Sequence, residues 1–217
     1  MNSAIQYLSN KFQEIKNSPE HPVYHPEGTL GNHIMLVTLK AFLWTENTDL
    51  IWAGLLHDIF KANKSFKSRF VTLPEGTYWS NPLHPKQAKE IIENNDDLKY
   101  LILQTGGNWE NVAELCYWHM AAKQRIPKKA GLVNGLSFFP PLDDMINRYT
   151  MPEKQFKSFF VPKHRDIKNF TLCDVETGRT AFYLLGKEGF LRISYNDIPL
   201  FFEQSEKWNF LKDVFQP

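Results

Sequence analysis

The chain has 217 residues with 25 basic and 24 acidic side chains, and the formal charge of +1 excludes a polyelectrolyte arm or tail that works by charge alone. Hydrophobic residues make up 42% and the aromatic set includes 17 Phe, so the composition is that of a folded globular protein and not a disordered one. Single cores stop growing at roughly 250–300 residues, so one domain spanning 1–217 is expected.

Apolar residues at Ile5, Leu8, Phe12 and Ile15 recur at helical spacing and predict a helix over residues 4–15, followed by a loop rich in proline and glycine. A second helix is expected over about 30–44, with Leu30, Ile34, Val37, Ala41 and Trp44 on one stripe. A third is expected over about 49–60. Its residues 51–56 are apolar or glycine on every side, the pattern of a buried helix. Residues 62–83 contain Pro74-Glu75-Gly76, a turn signal, and read as an irregular excursion or a short hairpin at the edge of the fold. Helices resume at about 85–94, 97–104, 110–122, 142–149, 153–160 and 168–185. The tail 186–217 reads as a C-terminal helical extension holding one or two short helices. The expected fold is all-α, a helical bundle with its core over about 21–185.

Cys116 and Cys173 are too few for a disulfide framework, and the N-terminus is amphipathic and lacks the pattern of a secretion signal. The apolar run at 50–56 is far short of the ~20 residues a membrane span needs. A soluble, cytoplasmic protein without a membrane partner is expected, with both cysteines as small core residues and not nucleophiles.

The chemistry lies in the histidines and acids. His57-Asp58 closes the most buried helix, where an uncompensated charge is costly. His33 stands one turn before Val37, within or beside the apolar stripe, and His119 follows Val112, Leu115 and Cys116 at helical spacing, so both turn inward. Asp174 is the one carboxylate on the face of Phe170, Gly178, Ala181 and Leu185. His84 precedes Pro85 and is expected to cap its helix. A lone inward imidazole is ordinarily a hydrogen-bonded core residue. Several imidazoles and carboxylates directed inward from separate helices instead match the way helical proteins build metal sites. Without clustered cysteines, a catalytic divalent metal fits better than a structural zinc.

The order His33, His57-Asp58, His84, His119, Asp174 resembles the signature of HD-domain metal-dependent phosphohydrolases. Phe60 stands where that family commonly has glycine. Residues 25–33, HPEGTLGNH, and 173–182, CDVETGRTAF, are similar to the opening and closing runs of the HD domain attached to bacterial CCA-adding tRNA nucleotidyltransferases. The likeness covers roughly 21–185 and leaves too few residues ahead of it for a nucleotidyltransferase domain, so polymerising activity is not expected.

The resemblance implies an HD-type bundle that hydrolyses nucleotide phosphomonoesters or 2′,3′-cyclic phosphodiesters, with a nucleotide or an RNA 3′ end as substrate. An HD-type nucleotidase or nucleoside triphosphate hydrolase is the alternative, and a catalytically silent nucleotide- or RNA-binding module is a third. It implies that His33, His57, Asp58 and Asp174 hold a divalent ion, manganese, nickel, cobalt, iron or magnesium, with Asp58 also orienting or deprotonating a water. His84 and His119 have two possible tasks: holding a second ion, or binding phosphate and protonating the leaving oxygen. For the last acid Asp143 and Asp144 compete with Asp174, and Glu176 is a poorer choice. Lys61 resembles the family's lysine and is assigned to phosphate, as are Arg125 and Arg179. The basic residues around Lys64, Lys67, Arg69 and Lys123–129 would steer an anion if they flank the cleft. His21, His25 and His164 lie in proline-containing loops and take no catalytic role, although His25 belongs to the HPE opening and borders the pocket. Oligomeric state is not legible.

Overall fold

A computed structural model of the chain describes residues 2–21, 25, 27–62, 69–74, 76–81, 83–125, 174, 183–186, 189–192 and 194–216. The helices expected at 142–149 and 153–160, most of the one at 168–185, and Lys64, Lys67, Lys128, Lys129, Asp143, Asp144, His164, Cys173, Glu176 and Arg179 lie outside the described residues, as do the side chains of Arg69, Lys123, Gln124 and Arg125.

Capping residues set the helix boundaries. The first helix, α1, is Asn2–Ile15. An antiparallel bridge between Pro19 and Thr29 then closes the proline-rich loop. Thr29 accepts from the amide of Asn32 at the start of α2, Leu30–Thr45. Glu46 takes the left-handed conformation at φ 51, and Asn47 caps the next helix through Oδ1, so that α3, Thr48–Leu56, folds back on α2 after only two residues. Helix α3 ends four residues before the expected limit. The His57 amide still bonds the Ala53 carbonyl, and the chain then turns, with the Lys61 amide on the Asp58 carbonyl.

Next comes an antiparallel hairpin of β1, Arg69–Leu73, and β2, Gly76–Ser80, in the excursion where a hairpin was one of two expectations. Then follow α4, His84–Asn94, α5, Asp96–Gln104, and α6, Trp109–Arg125. His84, expected as a cap, is instead the first helical residue, with Leu83 in the cap position. Asn81 starts the turn early by accepting from the Leu83 amide, and Pro85 costs nothing there because an amide in the first turn has no helical acceptor.

A second departure lies at 183–192. The expected helix to 185 and all-helical tail give way to an antiparallel hairpin of β3, Tyr183–Gly186, and β4, Gly189–Arg192, with Gly186 opposite Gly189 at its tight end. A turn of 3-10 helix, Tyr195–Asp197, and two short helices, α7, Leu200–Glu203, and α8, Phe210–Phe215, follow. The described residues are thus mostly helical, with two hairpins.

The core is centred on α3, whose residues 50–56 are all buried. Trp52 stacks on Phe210 with centroids 5.5 Å apart, and its indole N–H donates to Thr105 Oγ1 at 2.7 Å. On the far side, α1 packs against α8 through Phe12 and Phe215, 5.0 Å apart edge to face. Helix α2 comes so close to α3 that a Cβ on Gly54 would lie 2.9 Å from the Cα of Thr38. Backbone atoms cannot swing aside, so Gly54→Ala is expected to destabilise the fold by about 1–3 kcal/mol, read as a lower thermal midpoint by circular dichroism. Helix α3 also packs against α6, and α6 against α4. The end of α3 therefore emerges where α2, α4 and α6 meet.

Candidate metal centre

Six side chains converge at that junction. His33 comes from the first turns of α2, His57 and Asp58 from the end of α3, His84 from the start of α4, His119 from α6, and Asp174 from far along the chain. All are buried, none more than 5% exposed. Burial of so many ionisable groups requires mutual compensation, and the distances show how it is arranged.

Each imidazole uses Nδ1 to anchor itself. His57 Nδ1 lies 3.0 Å from the Gly54 carbonyl, His84 Nδ1 2.5 Å from that of Asn81, and His119 Nδ1 2.6 Å from that of Cys116. A carbonyl only accepts, so these Nδ1 atoms carry a proton, and in the tautomer this selects for a neutral ring the lone pair lies at Nε2. His33 differs: its Nδ1 donates to Glu27 Oε1 at 2.7 Å. The four Nε2 atoms then face one another in pairs, His33 and His57 at 3.2 Å, His84 and His119 at 3.1 Å.

Asp58 lies between the pairs with one oxygen toward each. Oδ2 is 3.7 Å from His33 Nε2 and 3.8 Å from His57 Nε2. Oδ1 is 3.0 Å from His84 Nε2 and 3.7 Å from His119 Nε2. Asp174 Oδ1 adds a carboxylate 3.4 Å from His33 Nε2. Ligating atoms of His33, His57 and Asp58, and of Asp58, His84 and His119, lie within 4.8 Å of one another in each group, close enough to share an ion.

Electrostatics support the same reading. Burial opposes the charge on Asp58, but the Lys61 ammonium beside it outweighs burial and holds the carboxyl well below its ordinary range. Lys61 Nζ lies 3.1 Å from Asp58 Oδ2 and 2.8 Å from Glu20 Oε2, and these two carboxylates hold its ammonium charged despite burial. His33 is pushed down by burial, yet its bonds to Asp174 and Glu27 raise it to about 10. Without a cation, His33 therefore carries a proton on Nε2, toward Asp174. A divalent cation in place of that proton satisfies the converging lone pairs and carboxylates together, so the donor set fits such an ion. The thiol of Cys116, buried and pushed up by burial and by Asp58, stays protonated as an inert core group, as expected.

Seven of the residues singled out in the sequence, His33, His57, Asp58, Lys61, His84, His119 and Asp174, thus come together. Three further participants had no assigned part. Glu27 is fully buried and accepts from both His25 Nδ1, at 2.9 Å, and His33. Glu20 accepts from Lys61, and its Oε2 lies 3.6 Å from His25 Nε2. Tyr195 packs nearby, its hydroxyl pushed up to about 12 by burial and by the charge of Glu27. The signal for Glu27 lay in the HPEGTLGNH run, where it is the lone acid.

A family model for the HD domain matches residues 30–139, half of the chain, and the chain belongs to that family. With the buried His/Asp cluster this makes it an HD-type metal-dependent phosphohydrolase. It is also 25% identical over 141 residues to a multifunctional CCA protein of Alkalilimnicola ehrlichii, over 63% of this chain and 31% of that protein. The chain therefore matches less than a third of that relative's length. No solved structure matches the chain. No described helix is long and apolar enough to cross a membrane.

Proposed function

We propose that this chain hydrolyses phosphomonoesters and 2′,3′-cyclic phosphodiesters of nucleotides, free or at an RNA 3′ end. His33, His57, Asp58 and Asp174 would hold one divalent cation, and Asp58 with His84 and His119 a second. The observation that carries this reading is the division of Asp58, one oxygen toward each pair of histidines whose Nδ1 atoms are already engaged. The nucleotide or RNA character of the substrate is supported by the likeness to a multifunctional CCA protein and by the HPEGTLGNH and CDVETGRTAF runs.

When bound, such cations supply an activated water and neutralise developing charge on phosphoryl oxygens. The protein's own contribution begins with Asp58. Lys61 keeps it ionised at neutral pH, so it accepts a hydrogen bond from the attacking water and orients it; a carboxyl held this low is a weak base. The carbonyls of Gly54, Asn81 and Cys116 keep His57, His84 and His119 in one tautomer through the reaction. Lys61, partly exposed beside Asp58, adds positive charge at the border of the cluster, which draws in a phosphate.

The test is a substrate panel. Nucleosides phosphorylated at 2′, 3′ or 5′, 2′,3′-cyclic nucleotides, RNA ending in a cyclic phosphate, and deoxynucleoside triphosphates are each offered with Mn²⁺, Co²⁺, Ni²⁺ and Mg²⁺. Release of inorganic phosphate from monoesters and opening of cyclic phosphates are expected, both abolished by chelator and by His57→Ala. Release of only pyrophosphate or triphosphate would overturn the substrate assignment. Activity unaffected by chelator and by His57→Ala would overturn the metal centre.

A further inference from the structure

The four histidines of the cluster are not supported alike. Three lean on backbone carbonyls, which are neutral acceptors. His33 alone leans on a carboxylate, Glu27 Oε1, at 2.7 Å. Glu27 is itself anchored: its carbonyl accepts from Asn32 Nδ2 at 2.9 Å, and its side chain is fully buried. The same Oε1 also receives His25 Nδ1 at 2.9 Å, and the rings of His25 and His33 meet edge to face with centroids 4.6 Å apart. A buried carboxylate held against the far nitrogen of an imidazole fixes its tautomer and ring angle and raises electron density at the opposite nitrogen. Here that opposite nitrogen is Nε2, which faces His57, Asp58 and Asp174.

We propose that Glu27 is a positioning residue of the metal centre, acting through His33, and that His25 holds Glu27 in place by sharing its oxygen. The inference rests on the reading of His33 as a ligand. It makes the two halves of the centre unequal. The half containing His33 is supported by a full negative charge, and the half containing His84 and His119 by carbonyl dipoles alone. The stronger donor binds the first cation more tightly, so Glu27 governs loading of one position and not the other.

Co²⁺ alone serves as the probe. Its paramagnetism shifts the N–H protons of ligating imidazoles far from the ordinary proton spectrum, giving one exchangeable resonance for each ligand ring, and the resonance lost in His33→Ala identifies that of His33. Glu27→Gln, which keeps the volume and removes the charge, is expected to weaken Co²⁺ binding roughly tenfold to a hundredfold and to displace the His33 resonance while the others stay. Glu27→Asp, with its charge one methylene short of both rings, should fall between Gln and wild type, and it carries the same comparison should the Gln variant fail to fold. Co²⁺ affinity within twofold of wild type, or an unmoved His33 resonance, would overturn the role of Glu27. If His33→Ala itself leaves Co²⁺ affinity unchanged, it is the metal-centre reading that fails, and with it this one.

Discussion

Asp58→Asn is expected to lower metal-dependent kcat/KM by roughly 10³-fold, the rate equivalent of the several kcal/mol that bound cations contribute at a phosphoryl centre. The amide preserves the shape of the side chain, so the loss is not a packing effect. It removes the charge that Lys61 holds in place, and it removes it from both pairs of imidazoles, because Oδ1 and Oδ2 face different pairs. Metal analysis of the purified variant should therefore show depletion at both positions. His119→Ala, which touches only the Oδ1 side, should deplete one. Asp58→Asn activity within tenfold of wild type would contradict the central place given to this carboxylate.

The second large effect is on stability, and it depends on whether metal is bound. Facing His33 are Glu27, His25, His57, Asp58 and Asp174. In the metal-free protein His33 is raised to about 10 from an ordinary 6.5, against the effect of burial, by Asp174 and Glu27. A group raised on folding contributes its full stability below the unfolded pKa and loses it as pH rises through the folded one. Chelator-treated protein should thus lose stability between about pH 6.5 and pH 10, by on the order of a few kcal/mol. Glu27 and Asp58 work in the opposite sense. Both are held below their ordinary range, so their contribution is present above about pH 4 and lost as pH falls further. Metal-loaded protein lacks the alkaline loss, because the cation has already displaced the Nε2 proton. Thermal unfolding at pH 6, 8 and 10, with and without chelator, measures the difference. A treated protein as stable at pH 10 as at pH 6 would refute it.

How much of this was legible in the sequence varied with the local signal. His33 and His119 could be read as inward because each sits on a helix long enough for its apolar period to define a face. His57-Asp58 stands out because the helix before it is apolar on every side, although the apolar pattern runs on to 60 and the chain turns after Leu56. Pro85 marked the start of α4 but misplaced His84 by one position, since a proline is tolerated at the second helical residue as well as the first. Glu27 carries no periodicity. It lies in a loop whose path is fixed by a bridge between Pro19 and Thr29, and only that path brings its carboxylate behind His33. The hairpin at 183–192 is not legible because a short apolar run such as Tyr183–Gly186 fits helix and strand equally well.

Helix α3 stops at the cluster and brings its negative pole to the same spot as Glu20, Glu27, Asp58 and Asp174. Among the described residues Lys61 and His33 are the positive charges set against them there. Among the described residues the carboxylates outnumber the cations there, so without a bound cation their summed field opposes a polyanion. A divalent cation held there would reverse that local sign and favour a phosphate ester.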